Sequence, residues 1–320
     1  MGRVVTLGEV VADVYREEGG SSTGMPLVAR PGGAPANVAV AAARLGVESS
    51  FVGVVGRELF GDFILRSLGA EGVDVSGVRR CEPPTRTSLA FVEITEPGDR
   101  SFTFYRSDPA ADELLSPEDV PENLLDGASS LSFGSMPLLA EPARSAVQEA
   151  VRRAARRGVP VAFDVNLRIH LWKDVPAARE AILPLLGASR IVKLSDDELE
   201  PLFGTGNAEE AAEAVLGLGA ALVFVTSGPR GAFYATKGFS GSVPAFRVRA
   251  VDPTGAGDAF FAAALCRLSG EGLEDRMSEP AVREAAVQGC AAGALAATGY
   301  GAIEALPAER DLRAFIRDAR

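Results

Sequence analysis

Histidine is nearly missing from this chain: His170 is the only one in 320 residues. A zinc site built on several histidines therefore has no ligands here, and no Cys-x-x-Cys pair is present to replace them. A Ser-His-Asp triad would have to recruit His170, and the Gly-x-Ser-x-Gly turn that presents a hydrolase serine is absent. His170 is read as a surface or packing residue. The three cysteines, Cys81, Cys266 and Cys290, are odd in number and widely spaced, so no disulfide framework is expected. Basic residues are also short, with 32 Lys and Arg against 43 Asp and Glu and a net charge of −11. That balance argues against nucleic acid as a partner, because non-specific binding to it rests on basic surface. No apolar run is long and unbroken enough to span a bilayer. The first residues lack the apolar core and cleavage site of a signal peptide. A cytoplasmic protein with neither a membrane nor a nucleic-acid partner is expected. Internal repeats and low-complexity segments are absent as well.

What is present is an apolar content of 47%, enough for a sizeable core. Apolar runs of strand length fall at 4–7, 50–54, 130–133, 159–164, 191–194 and 221–226. Helical patterns lie between and after them, near 35–45, 59–70, 141–157, 177–186, 208–216, 256–268, 279–297 and 308–319. Continuously apolar strands alternating with helices imply a parallel sheet covered on both faces. The expected fold is α/β, a doubly wound and mostly parallel sheet with helices on both faces, in a single domain over 1–320.

Two segments break the alternation. Residues 9–30 carry no helical period, and 85–106 alternate in strand fashion around Glu96-Pro-Gly-Asp99. Ser88, Ala90, Val92 and Ile94 fall on one side of that second segment, which reads as a hairpin. Together the two pieces, about 9–31 and 84–107, are expected to form a small β-sheet projecting from the main domain.

The chemistry concentrates in Asp252-Pro-Thr-Gly-Ala-Gly-Asp258, followed directly by the small-residue run of a buried helix. Such a turn aims backbone N–H groups at one spot, and the helix dipole adds partial positive charge there. An anion belongs in that cradle of Gly255, Ala256 and Gly257. A carboxylate beside a bound phosphate is repelled unless it has a proton to take, so Asp258 reads as the base of a phosphoryl transfer. Elsewhere Gly32 and Gly33 let backbone approach a ligand closely, and Asn37 offers a donor and an acceptor to a polyol. Asp164-Val-Asn166-Leu-Arg168 follows a strand end, where doubly wound sheets bind their ligands. Arg168 can grip phosphate or carboxylate with two N–H groups, or else pair with Asp164.

The 252–258 loop resembles the C-terminal signature of the ribokinase-like sugar kinases, the PfkB family. Gly32-Gly33-Ala-Pro-Ala-Asn37-Val-Ala is similar to that family's N-terminal signature. The two stand in the family's order, and the resemblance runs from Gly8-Glu9-Val-Val-Ala-Asp13 to Gly301-Ala302. It implies an ATP-dependent carbohydrate kinase using Mg²⁺, with the small sheet as a lid that closes over the sugar and often pairs with a second subunit. By the same resemblance Asp13, Gly32, Gly33 and Asn37 bind sugar hydroxyls. Lys193, Ser195, Thr226, Gly228 and Gly231 would serve the nucleotide, for which no Walker loop and no complete Gly-x-Gly-x-x-Gly fingerprint exists. Glu198 would act on Mg²⁺ through water. Asp252, with carbonyls near 298–301, would enclose K⁺. Cys290 stands where many relatives carry Asn near the adenine, and Pro253 where Thr is commoner.

Three segments resemble fructokinases in particular. These are Gly32–Asn37, the Asp164–Trp172 block, and Phe104-Tyr105-Arg106 with Ala111-Asp112 beyond it. The implied substrate is D-fructose, with Tyr105 and Arg106 capping it from the lid. The 164–172 block is shared with 2-keto-3-deoxygluconate kinases, so that acid is the leading alternative, and an aminoimidazole riboside is a further one. A catalytically dead sugar sensor is disfavoured because Asp258, Gly255 and Gly257 are intact. An NAD-linked dehydrogenase is disfavoured because the early glycine fingerprint is missing.

Overall fold

The computed structural model describes residues 2–17, 19, 21, 23–96, 99–268 and 277–319. Its strands are β1 (Arg3–Leu7), β2 (Val11–Arg16), β3 (Leu27–Gly32), β4 (Ser49–Gly56), β5 (Asp74–Cys81), β6 (Leu89–Glu96), β7 (Asp99–Tyr105), β8 (Ala128–Phe133), β9 (Val161–Asp164), β10 (Ile191–Ser195), β11 (Leu222–Thr226), β12 (Ala232–Ala235) and β13 (Ser240–Val243). The longer helices are α1 (Ala34–Arg44), α2 (Leu59–Ala70), α4 (Ala143–Arg156), α5 (Val175–Ala188), α7 (Ala208–Leu218), α8 (Ala256–Leu268), α9 (Glu279–Ala296) and α10 (Glu309–Asp318). The short α3 (Glu122–Leu125) and α6 (Leu199–Phe203) fill connections.

Nine strands form one sheet in the order β13-β12-β11-β10-β9-β8-β1-β4-β5. From β11 through β5 the neighbours run parallel. The β12 and β13 edge is antiparallel. A central strand such as β11 is nearly all apolar because its alternate residues feed opposite cores. Val223 and Val225 pack beneath α4, α5 and α7, whereas Leu222 and Phe224 pack beneath α1, α8 and α9. The doubly wound expectation therefore holds.

Two strands lay outside the sequence reading. β5 is an edge strand with an Asp, two Arg and a Gly among its residues, which break its apolar pattern. β13 is a short Ser-Gly-Ser-Val segment with no apolar periodicity.

The chain leaves β1 for β4 and β5 on one side, then returns to β8 on the other. That reversal opens a crevice at the carboxyl ends of the strands, the place where such sheets take ligands. The second sheet, ordered β3-β2-β6-β7, stands over this crevice. In it β6 and β7 form the expected hairpin. Ser88, Ala90 and Val92 share its buried side; the side chain of Ile94 and the turn residues 97–98 lie outside the described residues. Among the described residues no helix is long and apolar enough to cross a membrane.

Candidate active site

A cavity of about 590 Å³ separates the two sheets. Its floor is made by residues just beyond strand ends: Glu9 after β1, Met136 after β8, Asn166 and Arg168 after β9, Lys193 and Asp197 at β10. Its roof is the small sheet, through Val11 and Asp13 of β2, Ala90 of β6 and Phe104 of β7. The 253–258 loop with the start of α8, and Gly33 with α1, close it further.

Lining this cavity is Asp258, in the first turn of α8. Asn37 of α1, 221 residues away in sequence, donates its Nδ2 hydrogen to Asp258 Oδ2 at 2.7 Å. Burial dominates over that bond and over Lys193 and Arg168, and nearby Asp164 reinforces it, so the Asp258 carboxyl is pushed up to about 6. A carboxyl tuned that way is a better proton acceptor than a solvated aspartate and is still ionised at neutral pH. Gly255, at φ 77°, turns the chain so that Ala256 starts the helix next to it.

Under the same loop, Lys193 Nζ donates to Asp164 Oδ1 at 2.9 Å, both side chains being buried. Burial alone would lower the lysine, but Asp164 and Glu198 outweigh it and hold the ammonium charged. Lys193 comes so close to Gly257 that a Cβ there would sit 3.0 Å from Nζ. The glycine thus allows a buried cation directly beneath the amides of the cradle. Arg168 does not pair with Asp164, since Lys193 takes that place, and its guanidinium reaches the cavity instead.

Gly33 also has a steric reason. Its φ is 105°, and a Cβ would fall 2.7 Å from the Glu9 carbonyl oxygen. Gly32 backs onto Asp13, whose Oδ2 would be 2.1 Å from any Cβ at that position. Asn166 adopts the left-handed region at φ 42°, a strained choice for a side-chain-bearing residue and one that clusters at functional sites.

The structure brings Asp13, Gly33, Asn37, Asn166, Arg168, Lys193, Gly255, Gly257 and Asp258 to one cavity. It also brings three residues that the sequence reading missed or discounted. His170 lines the cavity, as do Glu9 and Phe104. Strand alternation corrects the lid assignment: Phe104 faces in, so Tyr105 faces out, 61% exposed and with its ring 4.9 Å from that of Phe91. Arg106, past the end of β7, turns away from the 590 Å³ cavity. It pairs with Asp112 and Glu113 and donates to Ser88 Oγ.

Ser195, Thr226, Gly228 and Gly231 lie beside this cavity rather than in it. Ser195 and Thr226 are register partners at the ends of β10 and β11, and Gly228–Arg230 form the turn that leads to Gly231 and β12. Cys290 is buried on α9 with its Sγ 4.0 Å from the Val243 carbonyl, and burial lifts the thiol to about 12, as for a packing residue.

Glu198 is buried, and its two oxygens accept from Leu167 N at 2.5 Å and Ser195 N at 2.8 Å. Burial pushes it up to about 7 against the pull of Lys193. Among the described residues no three acidic, His or Cys side chains converge on a metal position. Asp252 ties two loops: Oδ1 accepts from Thr254 N at 2.9 Å and Oγ1 at 2.6 Å, and Oδ2 from Gly301 N at 3.0 Å. The two segments expected to enclose a monovalent cation are thus neighbours.

A parallel sheet doubly wound with helices, roofed by a small second sheet over a base and an anion cradle, defines a phosphotransferase of small polyols. The chain belongs to the pfkB family of carbohydrate kinases, whose description matches residues 1–309. It is 39% identical over 322 residues to probable fructokinase-4 of Arabidopsis thaliana, covering 98% of this chain and 96% of that protein. A fructokinase double mutant from Vibrio cholerae O395, solved with fructose, ADP and potassium, superposes with a TM-score of 0.89 at 36% identity, covering 99% and 98% of the two chains. The aminoimidazole riboside kinase of Salmonella enterica, solved with its riboside and an ATP analog, gives 0.84 at 32% identity, covering 98% and 99%. The chain is an ATP-dependent sugar kinase.

Proposed function

We propose that this kinase phosphorylates D-fructose at its primary hydroxyl. The observation that carries the reading is the meeting of Asp258 and the Gly255–Gly257 amides in a cavity roofed by the small sheet. Asp258 accepts the hydroxyl proton as the sugar oxygen attacks the terminal phosphorus of ATP and the bond to ADP breaks. The cradle amides, the α8 dipole and the buried Lys193 face the charge spread over the transferred group. Asp13, Gly33, Asn37 and Asn166 hold the sugar hydroxyls. Ser195, Thr226, Gly228 and Gly231 border the nucleotide side.

Mg²⁺, when bound with the nucleotide, neutralises phosphate oxygens, with Glu198 reaching it through water. A potassium ion between Asp252 and the 298–301 loop would fix the direction of the cradle amides. The small sheet closes over the sugar and pairs about a two-fold axis with the same sheet of a second copy.

Fructose is favoured by the fructokinases among the relatives and by the fructose found in the Vibrio protein. The alternative, 2-keto-3-deoxygluconate, has Arg168 at the cavity, a cation that suits a carboxylate, but the fructokinase relatives do not favour it. A coupled assay of ADP release at sub-saturating sugar decides between them. Fructose is expected to give a higher kcat/KM than ribose, glucose, the aminoimidazole riboside or the keto acid. A site built around particular hydroxyls rejects analogues that leave its polar groups unpaired. A clear preference for the keto acid would overturn the fructose assignment.

A further inference from the structure

Glu9 is the one buried acid at the cavity to which the proposed reaction gives no task. It follows β1 at the crevice and is only 5% exposed. Its main chain lies against Gly33, whose neighbours include the Glu9 carbonyl. The residue borders two spaces at once: the 590 Å³ cavity, and a chamber of about 10 Å³ shared with Arg106, Asp112, Glu113 and Met136. Its Oε2 is buried and has no hydrogen-bond partner among the described residues. An ionised carboxylate in that state would lose its hydration with little in return.

The charges around it settle its form. Its own backbone N–H and Arg168 after β9 favour a negative charge on Glu9, while Asp112 beyond β7 and Asp258 of α8 oppose one. Asp13 of β2, Lys193 of β10 and Asp197 line the same large cavity, and Arg106 and Glu113 line the small chamber. Lys193 is spoken for by Asp164, and Arg106 by Asp112 and Glu113. Burial outweighs everything else and lifts Glu9 to about 8, so near neutral pH it is a neutral acid with one O–H to donate.

Asn166, Arg168 and Lys193 bring donors to the floor of this cavity, whereas the side chains of α1, β2 and α8 that line it are mainly acceptors. Asp13 and Asp258 are acceptors when ionised, one of the two Asn37 amide hydrogens is already given to Asp258, and Asn37 Oδ1 is itself an unpartnered acceptor. A sugar presents lone pairs on its ring oxygen and hydroxyls that acceptors cannot satisfy. We propose that Glu9 is a specificity-determining residue of the sugar site, donating the hydrogen bond of its neutral carboxyl to an oxygen of the bound sugar. The inference rests on the sugar-kinase reading and adds a residue to it.

The test compares wild type, Glu9→Gln and Glu9→Ala, with KM for fructose and for ATP measured from pH 6 to pH 9. Gln keeps a donor of the same length without a titrating proton, and Ala removes the donor. Expected for Glu9→Ala is a fructose KM raised roughly three- to tenfold, the worth of one hydrogen bond to a neutral partner, with KM for ATP unmoved. Expected for Glu9→Gln is a fructose KM near that of wild type at pH 7. In wild type that KM rises as pH passes about 8 and Glu9 ionises, and in Glu9→Gln the rise is absent. A water in the small chamber as the sole partner of Glu9 would leave the fructose KM of Glu9→Ala unchanged and alter only its thermal stability; that result overturns the proposal. So does an alkaline rise retained in Glu9→Gln. Failure of the wild type to turn over any sugar of the panel would instead sink the kinase reading itself, before any variant is compared.

Discussion

At the residue scale the site is a set of buried ionisable groups held away from their ordinary behaviour by geometry. Asp258 has a folded value of about 6 against 3.8 for a solvated aspartate. Below about pH 6 the base is protonated, so kcat/KM is expected to fall on the acid side with an apparent midpoint near 6. A pH profile with no inflection between 5 and 7 would remove Asp258 from that role. The same shift has a consequence for stability. A raised folded value means that the native state holds the proton more tightly, so the contribution is most favourable below 3.8 and is lost as pH rises through about 6. Asp258→Asn is therefore expected to raise Tm more at pH 8 than at pH 4 by calorimetry, despite its loss of activity. An equal change at both pH values would contradict the burial argument. Asn37, Asn166, Arg168 and Asp258 were legible in sequence because each sits in a glycine-rich or strand-end motif, whereas Asp13, inside β2, came only with the family resemblance. Glu9 and His170 were not legible, because a lone acid and a lone histidine have no spacing to betray them. Tyr105 was placed one residue out of phase, since reading which face of a strand looks inward needs the partner strand as well, and Arg106 lies past the strand, where Asp112 and Glu113 engage it.

At the element scale the anion cradle depends on how α8 is seated. α8 packs against α9, where Gly289 leaves room for the Phe260 ring and Gly293 for the Ala256 carbonyl; Cβ atoms there would come within 2.7 Å and 2.9 Å. Phe260 in turn meets Phe224 of β11 edge-on at 5.6 Å between ring centres. Gly289→Ala is expected to destabilise by roughly 1–3 kcal/mol through overpacking, measured by denaturant unfolding. Because the displaced ring lies two residues from Asp258, kcat should fall as well. A stability equal to wild type would mean that the helices part without strain. Most elements of both sheets could be read from apolar runs, since strands feeding two cores carry an unmistakable pattern. β5 and β13 could not, because an edge strand with a broken apolar pattern, or a short polar one, is chosen by its neighbours in space and not by its own composition.

At the scale of the whole molecule the two sheets act as floor and roof. The roof exposes Met25 at 60%, Leu27 at 43% and Tyr105 at 61% on its surface. Apolar side chains exposed at both edges of a thin sheet favour cover by a partner. Sedimentation at micromolar concentration is expected to give a dimer, and a monomer there would remove the pairing while leaving the roof over the sugar intact. The central claim is that α1 and α8, from opposite ends of the chain, build one catalytic centre around Asp258. Its most direct test is turnover of Asp258→Asn at saturating fructose and ATP, with fructose affinity measured separately by calorimetry. The account predicts a kcat at least roughly a hundredfold below wild type, with fructose binding nearly unchanged because Asn keeps the contact with Asn37. Retention of most of the wild-type kcat would contradict it.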